Sequence, residues 1–289
     1  MTGSSFFLLL FLAYYCRGFR TQTSPCRLPA RHDGIARRQY SFKATISESL
    51  GLSPRNDDDN SLLIEDLVAY PDVDESVIGT AKTLDGRLLC AAECAYRLEQ
   101  PYFQGVGYLA GTQIKRLSRG VNSCLIGRTM DGIVVAFRGT QGASPLDWLQ
   151  NAAILLVHVL SQDIPGRVHL GFFKAVQGLY QPLKAALLEL LEEYPVGHLP
   201  KIYLAGHSKG GCLASLTAVL MAKDDDLPPS EYVCTFGAAR LGNALFATYF
   251  NEAVRQTSYE NDLDIIPFLP PGKGTMDAMD ENMTNVINE

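Results

Sequence analysis

Apolar and polar positions follow two different periods along the chain from about Ser61 onward. Short runs rich in apolar and β-branched residues predict buried strands over residues 122–127, 132–138, 201–205, 232–236 and 254–259. Longer stretches with apolar residues at helical spacing predict helices over residues 80–100, 171–194, 210–223 and 243–254. Strands that alternate with helices predict an α/β fold, with a central and mostly parallel sheet flanked by helices.

The second predicted helix carries a proline, Pro182, at its middle. Proline removes a helical hydrogen bond and clashes with the preceding turn, so we expect a kink or a restart there. The apolar stripe of this helix, which includes Phe172, Val176 and Leu187, is expected to face the core and not to form a site.

The front of the chain differs in composition from the rest. Residues 6–15 read FFLLLFLAYY, which is the length of a signal-peptide core, so residues 1–16 are interpreted as a signal-peptide-like segment. An uncleaved membrane anchor is the alternative. Residues 17–60 are interpreted as a transit-like or disordered leader and linker, because their first part is rich in Arg, Ser and Thr. This order predicts entry into the secretory pathway and an extracellular or plastid destination, with a disordered pro-segment as the other interpretation.

Charge is divided unevenly between this leader and the remainder. The chain of 289 residues has a net charge of −6, yet its first 45 residues hold seven basic side chains and one acid, Asp33. The remaining 244 residues carry 18 basic against 30 acidic side chains. An acidic body without a basic stripe argues against a nucleic-acid partner. Hydrophobic residues at 47% and charged residues at 19% are typical of one folded domain, assigned to residues 61–289.

Neither cysteines nor acidic runs indicate a metal site. The seven cysteines show no paired metal-ligand spacing and no compact disulfide framework, so most are expected to be small buried residues, with a single bridge as the alternative. The acidic run Asp57–Asp59 lacks the spacing of a calcium loop and is interpreted as solvated linker. No metal or organic cofactor is therefore predicted.

A candidate nucleophile lies between the predicted strand 201–205 and the helix that follows it. The segment 201–211 reads KIYLAGHSKGG, which contains the pattern Gly-x-Ser-x-Gly around Ser208. A serine on such a sharp strand-to-helix turn is presented above the sheet edge, and the glycines keep the neighbouring strand and helix from colliding with it. Ser208 is thus a candidate catalytic nucleophile, while His207 is expected to support the turn.

Further segments in a fixed order resemble the class 3 lipase family, the α/β-hydrolases related to the fungal triacylglycerol lipases. The resemblance covers about residues 81–271. The segments that carry it are VVAFRGT at 134–140, DWL at 147–149, VHLGF at 168–172, the turn around Ser208, TFGAARLGN at 235–243 and NDLDIIPFLPP at 261–271.

The resemblance implies an oxyanion hole formed by backbone NH groups of Thr140 and Lys209, with the Thr140 hydroxyl as a further donor. Two such donors stabilise the charge that develops on the substrate oxygen. Lys209 replaces the more usual leucine, and we expect its charge to lie at the mouth of the site. The resemblance also implies a lid with Leu146 and Trp148 near its start, for which an ordinary core helix is the alternative.

The catalytic acid implied by the resemblance is Asp264, with Asp262 as the runner-up. In α/β-hydrolases a histidine follows the acid, yet all five histidines of this chain precede Asp264. Three explanations are open: the hydrolase domain is C-terminally incomplete, the protein is an inactive relative that binds lipid or a partner, or an upstream histidine such as His169 serves as base. We expect the 289-residue chain to hydrolyse a nitrophenyl ester weakly or not at all.

The sequence therefore predicts a serine-dependent lipase that hydrolyses carboxylic ester bonds of acylglycerols or related lipids through an acyl-enzyme on Ser208. Its expected partner is a lipid ester at a membrane or droplet surface; the sequence predicts no oligomeric state. The alternatives are a catalytically inactive lipid-binding or scaffold protein on the same fold, and an esterase of soluble esters.

Overall fold

A computed structural model describes residues 19–24, 61–68, 70–72, 83–96, 104–106, 113–140, 156–157, 164–195 and 197–269. The first elements are β1 (Phe19–Ser24), β2 (Leu62–Val68), β3 (Tyr70–Asp72), α1 (Leu84–Cys94), β4 (Gln104–Val106), β5 (Gln113–Arg119), β6 (Asn122–Thr129), β7 (Gly132–Phe137) and β8 (Leu156–Val157). The later ones are β9 (Val168–His169), α2 (Leu170–Glu192), β10 (Ile202–His207), α3 (Lys209–Lys223), β11 (Tyr232–Phe236), α4 (Ala244–Ala253), β12 (Gln256–Asn261) and a 3₁₀ turn (Ile266–Phe268).

One eight-stranded sheet organises the described chain, in the order β1-β12-β11-β10-β7-β6-β5-β2. Strands β7, β10, β11 and β12 are parallel, and α3 and α4 lie in the crossovers from β10 to β11 and from β11 to β12. The other half, β7-β6-β5-β2, is an antiparallel meander, and β1 closes the opposite edge antiparallel to β12. The prediction of an α/β fold with flanking helices is confirmed, with a mixed sheet. The predicted sharp turn around Ser208, residues 206–210, lies at the end of a strand in the parallel part of this sheet and is called the elbow below.

The helices cover both faces of this sheet. On one face, apolar residues of α2, α3 and α4 pack on Ile126, Val135 and Leu204. On the other face, Leu88 and the small buried residues of α1 pack on Val134 and Ala205. Neighbouring residues of β7 and β10 thus point to opposite faces, which is why these central strands read as continuous apolar runs.

The predicted elements agree with the structure in type and order. All five predicted strands and all four predicted helices are present, although α1 (Leu84–Cys94) is shorter than the predicted helix over residues 80–100. A restart at Pro182 is wrong, because α2 runs continuously through that residue from Leu170 to Glu192. Buried side chains on both sides of Pro182, including Leu179 and Leu183, pack into the core, and this packing favours one continuous helix over local propensity.

The described cysteines are buried, as expected of small core residues; they are Cys90, Cys94, Cys124, Cys212 and Cys234. Burial raises the pKa of the Cys124 and Cys212 thiols to about 12. Within the described ranges, no helix is long and apolar enough to cross a membrane and no acidic, His or Cys cluster is suited to a metal ion. Most of the predicted leader, including the signal-peptide-like segment, lies outside the described residues, although β1 falls within residues 17–60.

Candidate active site

Ser208 lies between the parallel strand β10 and the N-terminus of α3, where the sequence places the nucleophile. Its backbone has φ 55° and ψ −126°, and it is the only described non-glycine residue with a positive φ. The Ser208 NH donates to the Phe236 carbonyl at 2.9 Å, and its own carbonyl accepts from the Gly211 NH at 3.0 Å. Such a backbone conformation costs about 1–3 kcal/mol and persists only where neighbours hold it, which is characteristic of functional sites.

Close backbone packing holds this turn. A Cβ on Gly206 would lie 2.2 Å from the Gly210 carbonyl carbon, and a Cβ on Gly210 would lie 2.2 Å from the Phe137 carbonyl oxygen. Neither position has room for a side chain, so the strand, the turn and the helix meet only because both residues are glycine. The sharp turn predicted from the Gly-x-Ser-x-Gly spacing therefore has its physical basis in these two contacts.

The segment that follows β7 lies directly against the turn. A Cβ on Gly139 would lie 2.6 Å from the His207 carbonyl oxygen, so the backbone just before Thr140 touches the residue just before Ser208. The Thr140 hydroxyl is buried and has no hydrogen-bond partner among the described residues. A buried hydroxyl left in this way is costly, so a hydrogen-bond partner at this position would be favourable.

A tyrosine from α1's C-terminal end joins these two segments. The Tyr96 hydroxyl lies 2.8 Å from His207 Nδ1 and 3.5 Å from the His207 carbonyl oxygen. The Gly139 backbone hydrogen-bonds to the same hydroxyl, and burial raises the pKa of Tyr96 well above its ordinary value. Tyr96 thereby connects the elbow to the segment that carries Thr140.

His207 and His169 are both engaged in packing contacts. Burial lowers the pKa of His207 to about 4, only partly opposed by the charge of Asp264, so the ring is neutral near pH 7. This agrees with the supporting role expected from the sequence. His169 is the N-cap residue of α2 and packs edge-on against Phe172, and burial lowers its pKa as well.

The side chain of Lys209 is buried, although the sequence predicts an exposed charge at this position. The residue is only 2% exposed, and its Nζ donates to Asn122 Oδ1 at 3.1 Å. Burial, together with the charge of Arg138, lowers the pKa of Lys209 to about 8. The expectation of a charge at the mouth of the site is therefore wrong for the structure, because the long side chain runs inward along the end of the sheet.

Asp264 lies on the loop after β12 and is half-buried, whereas Asp262 is exposed. Its Oδ1 accepts from the Ile266 NH at 2.9 Å, and its NH donates to the Asn261 carbonyl at 2.9 Å. The electrostatic effect of Asp264 on His207 places its charge in the neighbourhood of the elbow.

The structure thus gathers Ser208, Lys209, Thr140 and Asp264 around the ends of β7, β10 and β12. Leu146 and Trp148, the predicted lid residues, lie outside the described residues. Sequence reasoning missed Tyr96 and Asn122, whose contacts join segments more than 80 positions apart. No local pattern around either residue signals such a contact.

A strained serine between a parallel strand and a small-residue helix, with a neighbouring loop against it, defines an α/β-hydrolase. Comparisons with known proteins give the family. The family model "Lipase (class 3)" matches residues 134–274. Residues 134–274 therefore belong to the class 3 lipase family.

Two curated relatives share part of the chain. The phospholipase A(1) DAD1, chloroplastic, of Arabidopsis thaliana is 28% identical over 181 residues, which are 57% of this chain and 38% of that protein. The secreted mono- and diacylglycerol lipase 1 of Fusarium solani is 33% identical over 108 residues, which are 36% of this chain and 30% of that protein. The chain thus spans well under half the length of these relatives.

Solved structures support the fold. Lipase II from Rhizopus niveus matches with a TM-score of 0.55 at 20% identity, over 72% of this chain and 78% of that chain. The Rhizomucor miehei lipase in its propeptide complex matches with a TM-score of 0.52 at 22% identity, over 72% of this chain and 66% of that chain. At such low identity these matches show the shared fold alone.

Proposed function

We propose that the protein is a serine-dependent lipase that hydrolyses carboxylic ester bonds of acylglycerols or related lipids. The observation that carries the proposal is the strained backbone of Ser208 at the end of a parallel strand. The two curated relatives act on lipid esters according to their names, and this similarity supports the same substrate class here. The leader and the words "secreted" and "chloroplastic" in those names favour secretory entry, followed by an extracellular or plastid location.

In the proposed mechanism, Ser208 Oγ attacks the ester carbonyl and gives its proton to a base, which passes it to the leaving alcohol as the ester C–O bond breaks. Water then cleaves the acyl-enzyme, which releases the carboxylic acid and restores the Ser208 hydroxyl. The NH groups of Thr140 and Lys209, with the Thr140 hydroxyl, stabilise the negative charge on the substrate oxygen. Removal of one such donor costs about 10²–10³ in rate in comparable hydrolases. The unpartnered Thr140 hydroxyl supports this role, because a substrate oxygen would supply its missing partner.

Asp264 is assigned the role of orienting a histidine base. The half-buried position of Asp264 and its electrostatic effect on the elbow favour it over the exposed Asp262. His207 and His169 are held in packing contacts and have lowered pKa values. We assign neither of them as the base. Leu146 and Trp148 remain the proposed lid residues at the lipid surface.

Hydrolysis of tributyrin, with and without added imidazole, tests the proposal. Imidazole can act as a diffusible base, so we expect it to raise a weak activity that Ser208→Ala abolishes. Thr140→Val is the companion variant and is expected to lower the same activity. If neither the wild-type protein nor Ser208→Ala hydrolyses tributyrin above background while lipid binding persists, the protein is instead a non-catalytic lipid-binding member of the family. Activity on soluble esters alone would favour an esterase.

A further inference from the structure

Lys209 combines a place next to Ser208 with an unusual environment for a lysine. It is the first residue of α3, its side chain is almost fully buried, and its Nζ reaches Asn122 Oδ1 at 3.1 Å. The contact spans 87 positions of sequence and joins the helix after the elbow to the first residue of β6. The lysine therefore connects two elements that the backbone of the elbow alone does not connect.

Asn122 lies beside the segment that carries Thr140. Strands β6 and β7 pair with Cys124 opposite Phe137, so the same register brings Asn122 level with Gly139. The Arg138 NH donates to the Ser123 carbonyl at 2.9 Å, which continues the ladder past the end of β7. The Lys209 side chain thus crosses the end of β7, from the turn that holds one proposed oxyanion donor to the strand beside the other.

Keeping an ammonium group in this place is costly. Burial disfavours the charged form, and the Arg138 guanidinium beside it adds repulsion, while the Cys212 thiol acts weakly in the opposite sense. Arg138 itself is turned toward the same corner, where its Nη2 donates to the Val121 carbonyl at 3.2 Å. A leucine, the more usual residue here by resemblance, would fill the space without that cost. Features that cost stability at a site are candidates for a functional role.

We propose that the hydrogen bond between Lys209 and Asn122 sets the spacing of the two oxyanion donors, so that both residues are positioning residues for the site. The inference rests on the proposed function, since it assumes that the Lys209 NH and Thr140 stabilise a substrate oxygen. A side chain anchored at its far end restricts the rotation of the Lys209 peptide, and a donor displaced by about 1 Å can lose much of its effect. In this proposal the backbone NH of Lys209 stabilises the negative charge on the substrate oxygen. Its side chain keeps the two oxyanion donors aligned.

Binding of 1-butaneboronic acid measures this alignment without requiring turnover. A boronate on Ser208 mimics the tetrahedral intermediate and places an oxygen in the oxyanion hole, whereas n-butanol has the same alkyl chain and forms no tetrahedral adduct. We expect Lys209→Met and Asn122→Ala each to weaken boronate binding about tenfold, a fraction of the effect of losing a whole donor. Binding of n-butanol should change by less than about twofold. The double variant should resemble either single one, because both remove the same bond.

Two further variants separate positioning from a general loss of structure. Asn122→Asp keeps an acceptor for Lys209 and should retain boronate affinity within about threefold. Tyr180→Phe removes another half-buried hydrogen bond, from Tyr180 to Asp224 at the far end of α3, and should leave the affinity unchanged. Thermal unfolding of each variant confirms that the comparison is made between folded proteins. Met at position 209 suits the buried environment, so Lys209→Met is the variant most able to fold.

The pH dependence of boronate affinity provides a readout that a merely structural role would not change. Affinity should fall as the pH rises through about 8, because the neutral amine of Lys209 donates a weaker hydrogen bond to Asn122 than the ammonium does. Asn122→Asp should move this fall to higher pH because a carboxylate stabilises the ammonium. Lys209→Met should lack it.

The possible outcomes distinguish this inference from the function on which it rests. If the wild-type protein binds the boronate through Ser208, as shown by its loss in Ser208→Ala, and Lys209→Met and Asn122→Ala bind equally well, the positioning role is wrong and the proposed site stands. If the wild-type protein shows no Ser208-dependent binding, the proposed function fails and the positioning role fails with it. Weakened binding in both variants with the shifted pH dependence supports the inference.

Discussion

The elbow around Ser208 and the loop around Asp264 belong to the same candidate site but are built differently. At the elbow, backbone meets backbone so closely that Gly206 and Gly210 cannot carry a side chain. On the acid loop, Asp264 is held by local bonds to Asn261 and Ile266. The elbow is therefore fixed by packing from several strands, whereas the loop is fixed mainly by its own short-range hydrogen bonds.

The surroundings of the two regions differ in the same way. Ser208 is 6% exposed and Lys209 is 2% exposed. Leu263 and Ile265, on either side of Asp264, are 87% and 56% exposed among the described residues. Because the elbow is buried, substitutions there should change both the free energy of unfolding and the reaction rate. Because the loop around Asp264 is largely exposed, substitutions there should change mainly the reaction rate.

The largest expected effect is the loss of the close packing at the elbow. Gly206→Ala should destabilise the protein by about 4 kcal/mol or more, because its Cβ would overlap backbone that cannot move independently. Gly178→Ala, in α2, is the matched control, since its Cβ would meet only the flexible Arg119 side chain at 3.1 Å. Urea unfolding measures both. Equal stability of the two variants would contradict the packing account.

The next largest effect is expected for Thr140→Val, which should change the reaction rate of Ser208 but not the stability of the fold. Because the Thr140 hydroxyl is buried without a partner among the described residues, Thr140→Val should leave the free energy of unfolding unchanged within about 1 kcal/mol or raise it. The same variant should slow the reaction of Ser208 with a fluorophosphonate about 10²-fold if the hydroxyl is an oxyanion donor. Labelling time courses and urea unfolding provide the two numbers. An unchanged labelling rate would remove the hydroxyl from the oxyanion hole.

The buried His207 predicts a pH dependence of stability. Its pKa falls from about 6.5 in the unfolded chain to about 4 in the folded protein, so the unfolded state binds more protons between these values. Stability due to His207 is present above pH 6.5 and is lost as the pH falls toward 4, by at most about 3 kcal/mol. The lowered pKa of His169 acts in the same direction.

Unfolding free energies at pH 7 and pH 4.5 check this. His207→Gln should reduce the difference between the two pH values, while the exposed His198→Gln should not. Identical pH dependence in wild type and His207→Gln would show that the ring is not held neutral.

The smallest expected effect concerns Tyr96, whose hydroxyl connects His207 at the elbow to the segment that carries Thr140. Tyr96→Phe removes the hydrogen bond to His207 Nδ1 and should cost about 1–2 kcal/mol, since a buried ring nitrogen loses its partner. Thermal unfolding measures this cost, and Tyr180→Phe is a control for tyrosine hydroxyls in general. A Tyr96→Phe protein as stable as wild type would indicate that this hydrogen bond contributes nothing.

Sequence reasoning succeeded where the information is local. The elbow could be predicted because strand, glycine spacing and helix are contiguous, and the same is true of the five strands and four helices. It failed in expecting a restart at Pro182, where core residues from other elements pack against a continuous α2. It also failed for the Lys209 side chain, because the partner that draws it inward, Asn122, lies on another strand.

The edges of the sheet show the same limit. Strands β2 and β5 pair along seven positions but carry mixed polar and apolar residues, so neither resembles a buried strand in sequence. Strand β1 lies in a stretch whose composition suggests a leader, and its pairing with β12 depends on a segment more than 200 positions away. Such edge strands depend on their partners more than on their own residues.

The central claim is that Ser208 is a reactive nucleophile at a strained turn. Its most direct test is incubation of the purified protein with a fluorophosphonate, followed by peptide mass spectrometry. The account predicts one phosphonate adduct, located on Ser208, that is absent from Ser208→Ala and is formed more slowly by Thr140→Val. No adduct under conditions that label an active lipase, or an adduct on another residue that persists in Ser208→Ala, would contradict it.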